Sequence, residues 1–303
     1  MSFNDNANLD TSRVGGGGGG RGPVVAGGGI LGLVVLVVAM LLGVNPNDVL
    51  GDQGQGSGQQ SDNSSLEQCK TGSDANANRD CRMVATENSL YDFWSNEPGV
   101  ASDLGQSGRS FEPPAEVVIY HGTAQSRCGT ASNQVGPFYC PLDRKIFIDT
   151  DFFDLMQKQL GAEDGALAEE YVLAHEYGHH IQNLYGILGE SQKDPKGRTS
   201  GAVRVELMAD CFAGMWVQHA TTTKDKSGQP LMKPITEEDV KKALSAARAV
   251  GDDTIQQRSG GGVNPDGWTH GSAQARQQWF LTGMKADGIN SCDTFAVQDP
   301  ENP

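Results

Sequence analysis

Two histidines and a glutamate are the residues of this chain whose types and spacing are best suited to chemistry. His175, Glu176 and His179 form the pattern H-E-x-x-H. Residues four apart on a helix project from the same face, so both imidazoles can bind one metal ion. Glu176 lies beside the first ligand without being one, where it can accept a proton from zinc-activated water. The pattern predicts a catalytic zinc site with Glu176 as general base.

A second pair of acidic residues can complete this site. Glu206 and Asp210 also stand four apart, in a stretch from about 202 to 220 that is predicted to be helical. Glu206 would be the third protein ligand, which leaves the fourth position to water, as catalytic zinc requires. Asp210, one turn later, would accept the free ring N–H of a ligating histidine and fix its tautomer. The alternative is that both are ordinary acids on a helix surface.

The elements that must position these side chains follow from the same sequence. Residues 166–185 contain no proline and have apolar residues at helical spacing, with Asp164 as the predicted N-cap and Gly186 as the predicted stop. The other predicted helices are residues 84–94, 236–250 and 272–288. The predicted strands are two β-branched and aromatic runs, residues 116–120 and 145–149. We therefore expect an α+β, mostly helical fold with a small sheet before the zinc helix.

Longer motifs around the site resemble a known family. The segments HEYGHHIQNLYG, ELMADCFAG, DGWTHGSAQARQQWFLTG, CGTASNQVGPFYCP and KIFIDTDFF are similar to those of the bacterial neutral zinc metallopeptidases of the YpfJ type. The resemblance covers about residues 84–295. It implies a gluzincin-like zincin domain with zinc on His175, His179 and Glu206, in which a strand lies along the substrate cleft. His270, in a glycine-flanked loop of the third motif, is predicted as a further catalytic residue.

The N-terminal region predicts membrane attachment. Residues 24–44 contain no charged side chain and are long enough to span a hydrocarbon core of about 30 Å. A transmembrane signal anchor over residues 23–44 is favoured over a cleaved signal peptide, because the run exceeds a signal h-region and no clear cleavage site follows. Arg13 and Arg21 precede the run, which predicts a cytoplasmic N-terminus and an extracytoplasmic catalytic domain.

Composition divides the rest of the chain. Residues 1–22 are polar and glycine-rich, which predicts a disordered cytoplasmic tail. Residues 45–68 are rich in Gly, Gln, Ser, Asp and Asn, which predicts a flexible linker. Residues 69–303 then form a single zinc metallopeptidase domain.

Cysteines and charge bear on compartment and partners. All six cysteines follow the apolar run, which suggests disulfides in an oxidising compartment. Sequence alone does not fix their connectivity, and the simplest pairing is Cys69–Cys81, Cys128–Cys140 and Cys211–Cys292. The net charge is −15 and no Lys/Arg cluster occurs. This balance argues against nucleic acid or an anionic membrane surface as the main partner.

These observations predict a membrane-anchored, extracytoplasmic zinc metallopeptidase that acts on peptide or protein substrates of the cell envelope. One alternative is a zinc-bearing envelope scaffold or partner-binding protein without turnover. Glu176 argues against it, since a structural zinc site needs no base and normally closes its fourth position. The other alternative is a hydrolase of a non-peptide or cell-wall amide, which zinc chemistry alone does not exclude.

Overall fold

A computed structural model describes residues 2–17, 63–132, 135–260 and 262–302. Helices hold about half of these residues: α1 (Gly72–Ala77), α2 (Arg79–Asn96), α3 (Pro98–Gln106), α4 (Phe152–Lys158), α5 (Ala166–Tyr185), α6 (Glu190–Lys193), α7 (Gly201–His219), α8 (Glu237–Ala249), α9 (Asp252–Arg258) and α10 (Ala273–Gly283). The strands are β1 (Val14–Gly16), β2 (Glu116–Tyr120), β3 (Thr123–Ser126), β4 (Gly129–Ser132), β5 (Phe138–Cys140) and β6 (Lys145–Asp149). The predicted α+β fold is confirmed, with about half of the described residues helical where the sequence predicted a mostly helical chain.

The small sheet has the strand order β1-β2-β6-β5. Strands β1, β2 and β6 are parallel, whereas β5 runs antiparallel to β6 at one edge. The two predicted strands, β2 and β6, have the predicted bounds. The stretch between them, which is rich in Gly, Ser, Asn and Pro and for which the sequence predicted no strand, contains the β3–β4 hairpin and the edge strand β5. Cross-strand pairing therefore forms strands in this stretch although Gly, Ser, Asn and Pro disfavour them.

Two long helices, α5 and α7, pack against each other in the core and carry the predicted zinc site. Their backbones approach closely at Gly178 of α5, where a Cβ atom would lie 3.1 Å from the Cα of Ala209 in α7. A larger residue at this position of the H-E-x-x-H motif would push the two helices apart. Helix α10 packs against α7, and α2 packs against α5.

Helix ends largely follow the sequence signals. Gly186 ends α5 in the left-handed conformation, with φ of 75°, and Thr236 and Asp239 form a capping box on α8. The predicted N-cap Asp164 is wrong: α5 begins after Gly165, and no side chain caps it. The Asp164 carboxylate instead accepts a hydrogen bond from Gln157.

The prediction of a disordered N-terminal tail is wrong for residues 2–17, which pack on the domain. Phe3 and Ala7 are buried in the main hydrophobic core, and β1 extends the sheet beside β2. The predicted linker is also too long, because residues 63–68 form a 3₁₀ helix with Leu66 buried. Residues 18–62, which include the predicted anchor at 23–44, lie outside the described residues. Within the described residues, no helix combines the length and apolarity that crossing a membrane demands.

All six cysteines form disulfides, and the predicted pairing is confirmed: Cys69–Cys81, Cys128–Cys140 and Cys211–Cys292. The second joins the β3–β4 hairpin region to edge strand β5. The third joins α7 to the C-terminal segment after α10. The zinc helix pair and the edge strand are therefore each covalently linked to a neighbouring segment.

Candidate active site

Helices α5 and α7 bring the three predicted metal ligands together. Ligand atoms of His175, His179 and Glu206 lie within 4.8 Å of one another, and all three residues are buried. The Nε2 atom of His175 is 3.1 Å from one Glu206 carboxylate oxygen, and that of His179 is 3.5 Å from the other. Two imidazole nitrogens and a carboxylate thus converge on one point, a donor set that zinc prefers.

The other ring nitrogens show that both histidines are oriented to bind through Nε2. His175 Nδ1 lies 2.8 Å from a carboxylate oxygen of Asp210, and His179 Nδ1 lies 2.8 Å from Oε1 of Gln182. The Gln182 amide nitrogen donates to the carbonyl of Val205, so its Oε1 must be the acceptor. Each Nδ1 therefore carries the proton, which leaves the Nε2 lone pair for a metal. The residues present fit zinc.

Asp210 is itself held by two further buried side chains. The guanidinium of Arg276, on α10, donates to both carboxylate oxygens at 2.8 and 3.0 Å. The Tyr171 hydroxyl, on α5, also donates to Asp210, and it accepts from Arg276 at 3.2 Å. A carboxylate that accepts from three groups has little freedom to rotate, so Asp210 fixes the ring of His175.

Charge balance in this network shifts the pKa values of its members. Burial alone would raise the pKa of Asp210, but Arg276 and His175 outweigh it and hold that pKa at about 2. Burial likewise opposes ionisation of Glu206, yet His179, His270 and His175 keep its pKa below the usual value. Both carboxylates are therefore ionised at neutral pH, as a ligand and its orienting partner must be.

The predicted catalytic residue His270 lines the same cleft as Glu206 and is held by Asp252 at the start of α9. One Asp252 oxygen accepts the backbone N–H groups of Thr269, His270 and Gly271 at 2.7, 2.7 and 3.0 Å. The other lies 3.2 Å from His270 Nδ1. Burial lowers the pKa of His270, but the Glu206 and Asp252 carboxylates outweigh it and raise the pKa. The loop and the imidazole are thus fixed by one carboxylate.

A cleft of about 530 Å³ opens over the candidate ligands, and both Glu176 and His270 line it. Edge strand β5 and its flanking residues form one wall, which consists of Val135, Gly136, Pro137, Phe138, Tyr139 and Pro141. The remaining lining is mostly apolar and includes Phe152, Leu160, Val172, Val205, Val250 and Ile255. The cleft is therefore mostly apolar with a few polar groups near the candidate ligands, which is the usual character of a ligand-binding cleft.

Other histidines lie apart from the metal-binding triad. His180, next to the second ligand, points about 100° around α5 from it, and its ring nitrogens contact the Glu112 carbonyl and the Tyr139 hydroxyl. Burial lowers its pKa to about 4. His121 lies at the end of β2 near Asp149 and Asp151, in a second group whose donor atoms could share an ion. His121 also contacts Asp80, which agrees with a surface ion pair.

Sequence reasoning missed four residues that support the site: Tyr171, Gln182, Asp252 and Arg276. Tyr171 and Gln182 lie on the zinc helix, at positions one turn before His175 and three residues after His179. Helical spacing could have suggested both. Arg276 lies in a motif already seen to resemble the family, but its partner is 66 residues away. No local pattern identifies such a pair.

Comparison with known sequences shows the family to which the chain belongs. The model of the family described as "Putative neutral zinc metallopeptidase" matches residues 2–295. An uncharacterized protein of Mycobacterium tuberculosis is 45% identical over 264 residues, 86% of each chain. The uncharacterized protein YpfJ of Escherichia coli is 36% identical over 272 residues, 87% of this chain and 86% of its own. No solved structure matches the chain. The chain therefore belongs to this zinc metallopeptidase family, and its cofactor is zinc.

Proposed function

We propose that this protein is a zinc peptidase that uses water as its nucleophile and Glu176 as its general base. The observation that carries the proposal is the orientation of His175 and His179, whose Nε2 atoms converge on Glu206 while their Nδ1 atoms are held by acceptors. Zinc, when bound, supplies a Lewis acid and lowers the pKa of water. Glu176 follows His175 on α5 and lines the cleft, where it would take the proton of the attacking water and return it to the leaving amine.

His270 is proposed to bind the reacting part of the substrate. Its Nδ1 is occupied by Asp252, so Nε2 is the nitrogen that remains for the cleft. A donor that is fixed before substrate arrives stabilises developing negative charge without reorganising. His270 would therefore donate from Nε2 to the oxygen of the scissile carbonyl. Its role is separate from that of Glu176, which handles the water proton.

The cleft lining supports a peptide substrate with apolar side chains near the cleaved bond. Strand β5 is at the edge of the sheet beside β6, and an extended peptide can pair with such an edge. Residues such as Val172, Val250 and Ile255 would then contact the substrate side chains. We also propose that the domain works outside the cytoplasm, on envelope peptides or proteins, because disulfides persist in oxidising compartments.

The test compares the parent protein with Glu176→Gln and with the matched control Glu237→Gln, which changes an exposed glutamate on α8. Hydrolysis is measured on peptides that differ only in an apolar or charged residue next to the cleaved bond, and zinc content is measured in parallel. Glu176→Gln should keep its zinc and lose about 10²–10⁴-fold in turnover, whereas Glu237→Gln should match the parent. Undiminished hydrolysis in Glu176→Gln would contradict the base assignment.

The same assay addresses the two alternatives. A parent protein that holds zinc but cleaves no peptide or amide would be a scaffold without turnover. A parent protein that cleaves only cell-wall amides, with the same loss in Glu176→Gln, would keep the site chemistry and change the substrate class. The peptide panel is therefore accompanied by a peptidoglycan digest.

A further inference from the structure

Residues 2–17 are an integral part of the peptidase domain. Strand β1 pairs with β2 in parallel register from Val14 with Val117 to Gly16 with Ile119. Before β1, the backbone of this segment donates three more hydrogen bonds to the domain. The Asn4 N–H donates to the Leu231 carbonyl and the Leu9 N–H to the Lys70 carbonyl, each at 2.9 Å. The Asn8 N–H donates to the Asp225 carboxylate at 2.8 Å. The segment therefore touches the sheet, the residues before α1 and the loop after α7.

Buried charge holds the segment as well. The Arg13 guanidinium donates to both oxygens of Glu87, on α2, at 2.6 and 3.2 Å, and lies 3.9 Å from the centre of the Tyr91 ring. The side chain of Glu87 is 1% exposed. Withdrawal of the segment would leave this carboxylate in the interior without its cation, which is strongly unfavourable.

The domain also has a position shaped for the segment. Gly72, at the start of α1, donates its N–H to the Ala7 carbonyl at 2.9 Å. A Cβ atom at Gly72 would lie 1.9 Å from the Asn4 carbonyl oxygen and 3.2 Å from the Phe3 side chain. Only glycine permits this approach, so the site on the domain is complementary to residues 3–7.

We infer that residues 2–17 and residues 63–302 lie on the same side of any membrane to which this protein is attached. Backbone hydrogen bonds and a buried ion pair join the two parts directly, and a bilayer cannot lie between bonded groups. The predicted topology, with a cytoplasmic tail and an extracytoplasmic domain on either side of one anchor, is replaced by one in which both parts share a compartment.

Cysteine labelling of the full-length protein in intact cells tests this inference. The native cysteines are all in disulfides, so a single new thiol is the only reactive one. Two exposed positions serve as reporters: Asn6→Cys in the N-terminal segment and Gln257→Cys on α9. Each is treated with a membrane-impermeant maleimide before and after permeabilisation of the cells.

Both reporters should react under the same condition. Labelling of both in intact cells would support the inference and the extracytoplasmic location together. Labelling of both only after permeabilisation would support the inference and contradict the extracytoplasmic proposal. Labelling of one reporter in intact cells and of the other only after permeabilisation would overturn the inference.

Discussion

At the residue scale, the site depends on side chains that never touch the metal. Asp210 orients His175 while Arg276 and Tyr171 hold Asp210 in turn. An orienting carboxylate that is lost typically costs ten- to a hundredfold in metal affinity or activity. The geometry therefore extends the functional site from three ligands to a chain of buried groups that reaches α10.

The first prediction concerns this chain. Asp210→Asn should lower zinc affinity by roughly ten- to a hundredfold, because a neutral amide replaces the carboxylate that accepts from His175. Asp287→Asn, at an exposed position after α10, is the matched control and should bind zinc like the parent. Competition with a chelator of known affinity measures the difference. Equal zinc affinities for the two variants would mean that Asp210 does not orient His175 for metal binding.

A second prediction at this scale concerns Glu170, on the face of α5 away from the cleft. It is fully buried, and its carboxylate oxygens have no hydrogen-bond partner among the described residues. Burial raises its pKa from 4.5 to about 7. The unfolded chain therefore ionises Glu170 near pH 4.5 while the folded protein keeps it protonated, so stability falls as pH rises from 4.5 to 7 and the loss is complete above 7.

Glu170→Gln imitates the protonated form and should remove this loss. The shift corresponds to roughly 3 kcal/mol, so the variant should be more stable than the parent by about that amount at pH 8 and similar to it at pH 4.5. Urea unfolding at the two pH values measures this. A stability difference that is the same at both pH values would contradict the assignment.

At the same scale, helical spacing predicted much of the site, but it did not predict the residues whose partners lie far away in the sequence. His175, Glu176 and His179 lie within one helix turn, and Glu206 and Asp210 within another, so helical geometry alone places each set on one face. Arg276 and Asp252 act on partners 66 and 18 residues away. Their role depends on how helices pack, which periodicity does not encode.

At the scale of elements, a glycine contact sets the distance between α7 and α10. A Cβ atom at Gly283 of α10 would lie 1.9 Å from the Cys211 carbonyl oxygen of α7, and one at Gly214 of α7 would lie 2.0 Å from the Phe280 carbonyl oxygen. Close approach of the two helices brings Arg276 within hydrogen-bond distance of Asp210. Helix packing and the metal site are thus coupled.

The third prediction follows from that contact. Gly283→Ala should separate α7 from α10, cost about 1–3 kcal/mol of stability or more, and weaken zinc binding because Arg276 moves away from Asp210. Gly288→Ala is the matched control, since a Cβ atom there meets nothing within 4 Å. Thermal unfolding and zinc competition measure both effects. If Gly283→Ala is destabilised but binds zinc with normal affinity, the packing of α7 on α10 does not control the metal site.

Elements were predictable where a periodic pattern decides the structure. The zinc helix, its glycine stop and strands β2 and β6 follow from such patterns. Strand β5 did not, because three residues are too few for a period and its pairing with β6 is tertiary. The Asp164 cap failed because α5 begins one residue later, after Gly165, and the Asp164 carboxylate accepts a hydrogen bond from Gln157 instead.

At the scale of the whole molecule, residues 2–17 and the domain formed by residues 63–302 are one folded unit. Composition suggested disorder for the glycine-rich N-terminus, because its few apolar residues cannot form a core alone. Phe3, Ala7 and Val14 instead complete a core that the rest of the domain provides. The hydrogen bonds of this segment are made with residues far away in the sequence, and local composition does not predict such partners.

The last prediction measures how firmly this segment holds the molecule together. Arg13→Ala should destabilise the full-length protein by about 3–5 kcal/mol, since Glu87 would remain buried without its cation. Arg13→Ala combined with Glu87→Gln should recover a large part of that loss, because a neutral side chain is much cheaper to bury than an unpaired charge. Arg127→Ala, at an exposed arginine, is the control and should change stability by less than about 0.5 kcal/mol. Urea unfolding of these proteins together with Glu87→Gln gives the coupling between Arg13 and Glu87, and an Arg13→Ala variant as stable as the parent would mean that this ion pair does not hold the N-terminal segment on the domain.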